Sequence, residues 1–356
     1  MTVAVIDIGS NSIKILVAAR GASSAAPAPV SLFYKTLEAR ISAGISGANP
    51  ALTEKSMTRG IDAIRELLAD ADRVAPARAR TILVATSAVR DAANGADFRR
   101  RVRAATGHDI RILTGDEEAN YIGRGLACDP ALAGLRDFYV FDLGGGSLEC
   151  LAFRDRAIVR ETSLQLGCVR LTEKFIPDPA QPISPDALRA IDEHVKNTLA
   201  RTQKARTQKV GTALRAVRGG FGETALPADG FAFDLPPDAT AIVTGGTTVT
   251  ARALLGGALG KTLDETSPRL ALDDLRALLA RVTGADLAAR RAMHGMPFGR
   301  ADVFPTALAT IVALAEAAGF ATFQTSLYNL RWGLADEALA SKAARTFPSA
   351  PKSSPR

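Results

Sequence analysis

The chain has 356 residues, 47% of them hydrophobic and 23% charged, a globular composition that excludes a mostly disordered chain and, lacking a Gly-X-Y repeat, a collagen-like one. At roughly 100–200 residues per domain it has room for two or three domains. Its 44 Lys and Arg outweigh 37 Asp and Glu by +7, which favours anionic partners such as phosphate chains, nucleotides or nucleic acid without choosing among them.

Val3 to Ile8 and Ile13 to Ala19 are β-rich runs, and Asp7-Ile8-Gly9-Ser10-Asn11-Ser12 between them reads as a tight hairpin turn. The start of the chain has no basic region and Asp7 breaks its apolar run, so it does not read as a signal peptide. A helical pattern spans Thr53 to Ala71, with Thr53 as its N-cap. Thr81 to Thr86 reads as a buried strand, Asp97 to Ala105 as a basic helix, Ile110 to Leu113 as a short strand and Asp116 to Leu126 as a helix. Phe138 to Asp142 is then a strand, followed by a glycine-rich turn and the strand Glu149 to Phe153.

This second unit repeats the first. Asp142-Leu143-Gly144-Gly145-Gly146-Ser147 matches Asp7 to Ser12 at an offset of 135 residues, and apolar strands flank both. An internal duplication predicts two similar α/β lobes, each presenting an Asp and a glycine turn across a cleft.

Further on, Ala157 to Ser163 reads as a strand and Pro185 to about Thr202 as helical. Arg201, Lys204, Arg206, Lys209, Arg215 and Arg218 follow with no acid among them. This run reads either as a polyanion contact or as a solvated helix face. Gly219 to Pro237 reads as an inserted loop. The strand Ala241 to Thr244 leads into a third glycine turn, Thr244-Gly245-Gly246-Thr247, before a helix. Helical patterns cover Leu272 to Val282, Thr306 to Ala318 and Leu330 to Ala344, and the Pro/Ser-rich Phe347 to Arg356 reads as a disordered tail. The apolar stretch Ala307 to Ala315 is far shorter than the roughly 20 residues a membrane span needs. Cys128, Cys150 and Cys168 form no CxxC pair and read as reduced thiols, so a soluble cytoplasmic protein is expected. His108, His194 and His294 are scattered and suggest neither triad nor metal cluster.

Glycine turns expose backbone N–H groups and let the chain approach phosphate oxygens closely. Hydroxyls at Ser10, Ser12, Ser147 and Thr247 add donors, and three such turns suggest a ligand with several phosphates. Asp7, Asp142 and Glu149 sit on these turns. Carboxylates beside phosphate are natural Mg²⁺ ligands, direct or through water. Asp116-Glu117-Glu118 opens a helix. Those acids read either as helix-dipole partners or as a group that orients water and takes its proton. Arg90 reads either as a surface ion pair or as a phosphate clamp. Gly256 to Thr262 resembles the end of a Walker A loop, but its first Gly would fall on Leu255.

Taken in order, six segments resemble the exopolyphosphatase / guanosine pentaphosphate phosphatase family, over about residues 3–340. They are Ile6 to Ser12, Ala85 to Asp91, Leu113 to Ala119, Phe141 to Glu149, Leu164 to Leu171 and Thr244 to Thr247. The resemblance implies two actin-like, ribonuclease H-like lobes of the actin, sugar kinase and Hsp70 fold group, with the catalytic cleft between them. The expected lobes are 1–125, joined by a C-terminal helix near 330–344, and 126–329, with a basic insertion near 201–240. The implied activity is Mg²⁺-dependent removal of terminal phosphate from inorganic polyphosphate, or of the 5′ γ-phosphate from guanosine pentaphosphate. The family's catalytic base falls on Glu118, with Glu117 beside it, and its arginine on Arg90. Its metal-holding acids fall on Asp142 and Glu149. The first turn contributes Asp7, Gly9, Ser10, Asn11 and Ser12, the second Gly144 to Ser147, and the third Gly245, Gly246 and Thr247.

The chain departs from the family pattern at Pro305-Thr306-Ala307 and at Trp332. Polyphosphate is the expected substrate, with guanosine pentaphosphate as the alternative and a non-catalytic phosphate or nucleotide sensor as a different class. No membrane and no specific nucleic acid is expected as partner, and a homodimer stays open.

Overall fold

The computed structural model describes residues 1–20, 28–43, 50–78, 80–216, 233–236 and 239–340, with only the backbone path of 201–216. In the first half, β1 (Thr2–Ile8), β2 (Ile13–Arg20) and β3 (Pro29–Leu37) form an antiparallel meander. Helix α1 (Glu54–Val74) follows, then β4 (Arg80–Ala85), α2 (Ser87–Arg90), α3 (Gly95–Thr106), β5 (Ile110–Ile112) and α4 (Gly115–Leu126). The sheet order is β3-β2-β1-β4-β5, with β4 parallel to both β1 and β5. Thr53 caps α1 as predicted, its Oγ1 accepting from Ser56 N at 3.1 Å.

The second half begins with the meander β6 (Phe138–Leu143), β7 (Leu148–Arg154) and β8 (Ala157–Leu164), followed by α5 (Cys168–Phe175) and α6 (Pro185–Ala216). Then come β9 (Thr240–Thr244), α7 (Gly246–Gly257), β10 (Arg269–Ala271), α8 (Leu272–Thr283), α9 (Leu287–Ala292), α10 (Phe304–Ala318), β11 (Thr322–Thr325) and α11 (Leu330–Leu339). The sheet order is β10-β11-β9-β6-β7-β8, with β9 parallel to β6 and β11.

The duplication read at an offset of 135 is therefore a repeat of topology as well. β6, β7, β8, β9 and β11 retrace β1, β2, β3, β4 and β5. Register is preserved too: Asp7 lies opposite Lys14, and Asp142 opposite Glu149.

Each sheet buries one face under its own helices. Ile6 and Ile15 pack with Ile64 and Leu67 of α1 and Phe98 of α3, while Phe141 and Val243 pack with Val195 of α6 and Leu308 of α10. The apolar stretch from Ala307 to Ala315 is the buried part of α10. A third cluster joins the two sheets: Val5, Val84, Val140 and Leu151 meet Ile122 of α4 and Leu330 and Leu334 of α11. This places α4 and α11 between the sheets and carries the N-terminus of α4 to the cleft. The paired lobes form the actin-like architecture.

Several elements differ from expectation. α6 does not stop near Thr202 but runs to Ala216, because Lys, Arg, Gln and Ala are good helix formers even without an apolar stripe. The side chains of its basic run, most of Gly219 to Pro237, and the tail from 347 lie outside the described residues. α11 ends at Leu339, where Ala340 turns extended (φ −62°, ψ 132°), and residues 341–344 are likewise outside the described set. Among the described residues no helix is long and apolar enough to cross a membrane.

Candidate active site

The two hairpin turns close the same way. Gly9 N donates to Ser12 O at 3.2 Å, and Gly144 N donates to Ser147 O at 2.9 Å. Both turns face a cleft between the sheets, lined also by Thr86, Ser87, Glu118, Glu149, Gly245, Gly246 and Arg300. Asp7, Ser10, Asn11, Asp142 and Gly145 also line it. At the second turn the lobes touch. A Cβ on Gly145 would stand 2.8 Å from Ser10 Cβ, and one on Gly146 would stand 2.8 Å from Ser87 Oγ. Only glycine permits that approach.

Glu118 enters from the first turn of α4 and is 7% exposed. Arg90, at the end of α2, donates from NH1 to Glu118 Oε2 at 3.0 Å and to the Leu113 carbonyl at 3.0 Å. Arg90 is not among the cleft-lining residues, so the structure does not place it as a phosphate clamp; it meets the site at its bond to Glu118. Burial, reinforced by the charge of Glu149, pushes the Glu118 carboxyl well above the usual range, while Arg90 pulls the other way.

Glu149 is buried on β7, where its Oε1 accepts from Ser147 Oγ at 2.6 Å and Ser163 Oγ at 3.0 Å. Burial pushes its carboxyl up to about 7, with the charge of Asp142 adding and the Ser147 hydroxyl opposing. Burial also raises Asp142, against the opposing charges of Lys14 and Arg331. Asp7 has a counter-ion already: the buried Arg331 of α11 places NH1 at 3.5 Å from its Oδ2.

Glu117 does not join the cleft, which corrects the expectation that it assists catalysis. Successive helix residues point about 100° apart, so only one of the pair can face the site. Glu117 instead completes a capping box with Thr114, its Oε2 accepting from Thr114 N at 2.9 Å, and pairs with Arg111 at 2.6 Å. Arg111 holds its carboxyl below the usual range. Gly146 and Thr247 also stand outside the lining: Gly146 is packed against Ser10 and Ser87, and the Thr247 hydroxyl is buried in α7 with no hydrogen-bond partner among the described residues.

Sequence reasoning missed Lys14, Arg300, Asn329 and Arg331. Lys14 was visible in principle, because the offset of 135 places it on Glu149. Arg300 and Arg331 reach the site through contacts about 290 to 320 residues apart in the chain, to Ser12 and to Asp7, and Asn329 lines the cleft at the start of α11.

Among the described residues no three His, Cys, Asp or Glu side chains are grouped closely enough to cage a metal. Mg²⁺ rarely needs such a cage, since it keeps waters and takes one or two carboxylates together with substrate phosphates. Asp142 and Glu149, facing each other across β6–β7 beside a glycine turn, are a donor set of that kind.

Fold and cleft together define a two-lobed actin-like protein with a buried, arginine-held carboxylate between glycine turns. The model of the Ppx/GppA phosphatase family matches residues 17–342, and the chain belongs to this family of hydrolases. Among solved structures it is similar to an exopolyphosphatase from Cytophaga hutchinsonii (21% identity, 95% of this chain and 98% of that one, TM-score 0.76). It is also similar to the Ppx/GppA family member of Aquifex aeolicus (20% identity, 95% and 97% covered, TM-score 0.69). At these identities the likeness is one of fold.

Proposed function

We propose that the protein is an exopolyphosphatase, releasing terminal orthophosphate from inorganic polyphosphate with Mg²⁺. The observation that carries this reading is Glu118: a buried carboxylate, held by Arg90, at the wall of a cleft lined by glycine turns. A base with a raised pKa is stronger when ionised and better matched to neutral pH. Arg90 occupies Oε2, and no donor among the described residues takes Oε1.

In this reading Glu118 orients a water and accepts its proton. The water oxygen bonds to the terminal phosphorus, the bridging P–O bond breaks, and the remaining chain leaves with the electron pair. Backbone N–H groups of the turns, with Lys14 and Arg300, neutralise phosphate oxygens; positioning and charge stabilisation are most of what phosphoryl transfer needs. Asp142 and Glu149, with Asp7 nearby, would hold Mg²⁺, which when bound would further neutralise phosphate charge.

Guanosine pentaphosphate, which carries the same terminal phosphoanhydride, is the alternative substrate. The test is phosphate release with Mg²⁺ from long polyphosphate, short polyphosphate and guanosine pentaphosphate, each beside Glu118→Gln. Release from polyphosphate that the substitution abolishes supports the proposal. Preference for guanosine pentaphosphate replaces it with the nucleotide phosphohydrolase reading, and binding without release from any of them leaves a sensor.

A further inference from the structure

Glu38 follows β3 directly and is not among the residues lining the cleft, yet its carboxylate touches two that are. Its Oε2 accepts from Asn11 Nδ2 at 2.5 Å, and its Oε1 accepts from Arg300 Nε at 3.3 Å. Asn11 belongs to the first-lobe turn, whereas Arg300 comes from the second half of the chain and places NH2 at 3.5 Å from Ser12 Oγ. The surroundings are shaped for this contact. A Cβ on Gly299 would stand 2.7 Å from Glu38 Cγ, and one on Gly246 would collide with the Arg300 guanidinium. Two residues on, Arg40 pairs with both carboxylate oxygens of Asp302 and donates to the Gly299 carbonyl. The same strand end thus holds the second lobe twice.

An acid at the edge of a cleft for polyanions works against binding through its own charge. Its benefit is geometric. Guanidinium carries five donors in a rigid plane, so a carboxylate on Nε fixes that plane and leaves donors on the terminal nitrogens for phosphate. Anchoring one N–H of Asn11 Nδ2 likewise fixes the amide plane and leaves the second N–H for a phosphate oxygen.

We propose that Glu38 is a positioning residue that locks Asn11 of one lobe and Arg300 of the other into a single phosphate-facing array. The inference rests on the phosphate-cleft reading above, and two measurements keep the two apart. Calorimetric titration of tripolyphosphate into the Glu118→Gln protein, with and without Glu38→Gln, reads binding without turnover. Steady-state hydrolysis of polyphosphate by Glu38→Gln separates KM from kcat.

Losing a charge-assisted bond of this kind raises Kd and KM about tenfold while kcat stays within about twofold. Asp302→Asn, which loosens the Arg40 clasp and leaves Glu38 in place, changes Kd by no more than about twofold on the same scale. Unchanged tripolyphosphate affinity in Glu38→Gln overturns the proposal. So does a loss of kcat at constant KM, or equal weakening by Asp302→Asn. Should Glu38→Gln not fold, Arg300→Lys removes the Nε donor while keeping the charge. The same tenfold weakening is then expected, and unaltered binding is the contrary result. If the wild type binds tripolyphosphate but hydrolyses neither candidate substrate, the hydrolase reading falls and the binding comparison still decides Glu38.

Discussion

Lys14 stands in the first lobe where Glu149 stands in the second. Each lies opposite the turn aspartate of its own hairpin, Asp7 in one case and Asp142 in the other. The repeat preserves the backbone and inverts one charge. Arg331 beside Asp7 deepens the asymmetry, leaving the second turn acidic and the first balanced by cations. This polarity suits a divalent cation at one turn and phosphate oxygens at the other. Lys14→Met is therefore expected to raise KM for polyphosphate about tenfold, and Lys14→Arg to change it only a few fold, by steady-state kinetics. Equal effects of both substitutions would count against a role for the charge.

With Glu118 as the base, the acid limb of the pH–rate profile follows its carboxyl, which burial raises above the usual range. Arg90 holds Glu118 down against burial. Removing that cation in Arg90→Met disfavours the ionised carboxylate, so the acid limb of kcat/KM moves to higher pH. A limb that stays in place, or moves to lower pH, would sink the assignment of Glu118 as base.

Glu117 and Glu118 are neighbours with separate tasks. Glu117→Ala loses the capping box and the Arg111 pair, which costs about 1 kcal/mol of stability, while activity stays within about twofold of wild type. Glu118→Gln lowers kcat by about 10²–10⁴. Chemical denaturation and initial rates on both variants check the division.

Glu161 of β8 is partly buried against α4. Burial, and a hydrogen bond shared with the Asp116 carboxyl, push it from an ordinary 4.5 up to about 7. An acid with a raised folded pKa binds more protons in the folded state between these values. Its contribution to stability is full below about pH 4.5 and is lost as pH rises through about 7. Glu161→Gln keeps a hydrogen-bonding amide and cannot ionise. Its melting temperature should gain on wild type as pH rises across that window, and a constant difference would refute the coupling.

The sequence carried the local signals well. The capped α1, the two strand–turn–strand units and the third turn at Gly245 were legible because each is written in contiguous residues. β3, β10 and β11 were not. β3 is an edge strand exposing Val30, Leu32 and Tyr34, so it lacks the apolar-in, polar-out alternation that marks a strand. β10 and β11 have three and four residues and gain their identity from pairing with each other. Glu118 was found through the family motif, and its separation from Glu117 required knowing which face of α4 meets the cleft. Glu38, Arg300 and Arg331 carry no local mark, since their roles arise where distant segments meet.

Backbone of the second turn rests on Ser10 and Ser87 of the facing lobe, with no room for even a methyl group between them. The two halves of the cleft are therefore spaced by main chain at this point, and adding a single carbon to Gly145 or Gly146 would act as a wedge that drives the lobes apart while leaving every reactive group in place.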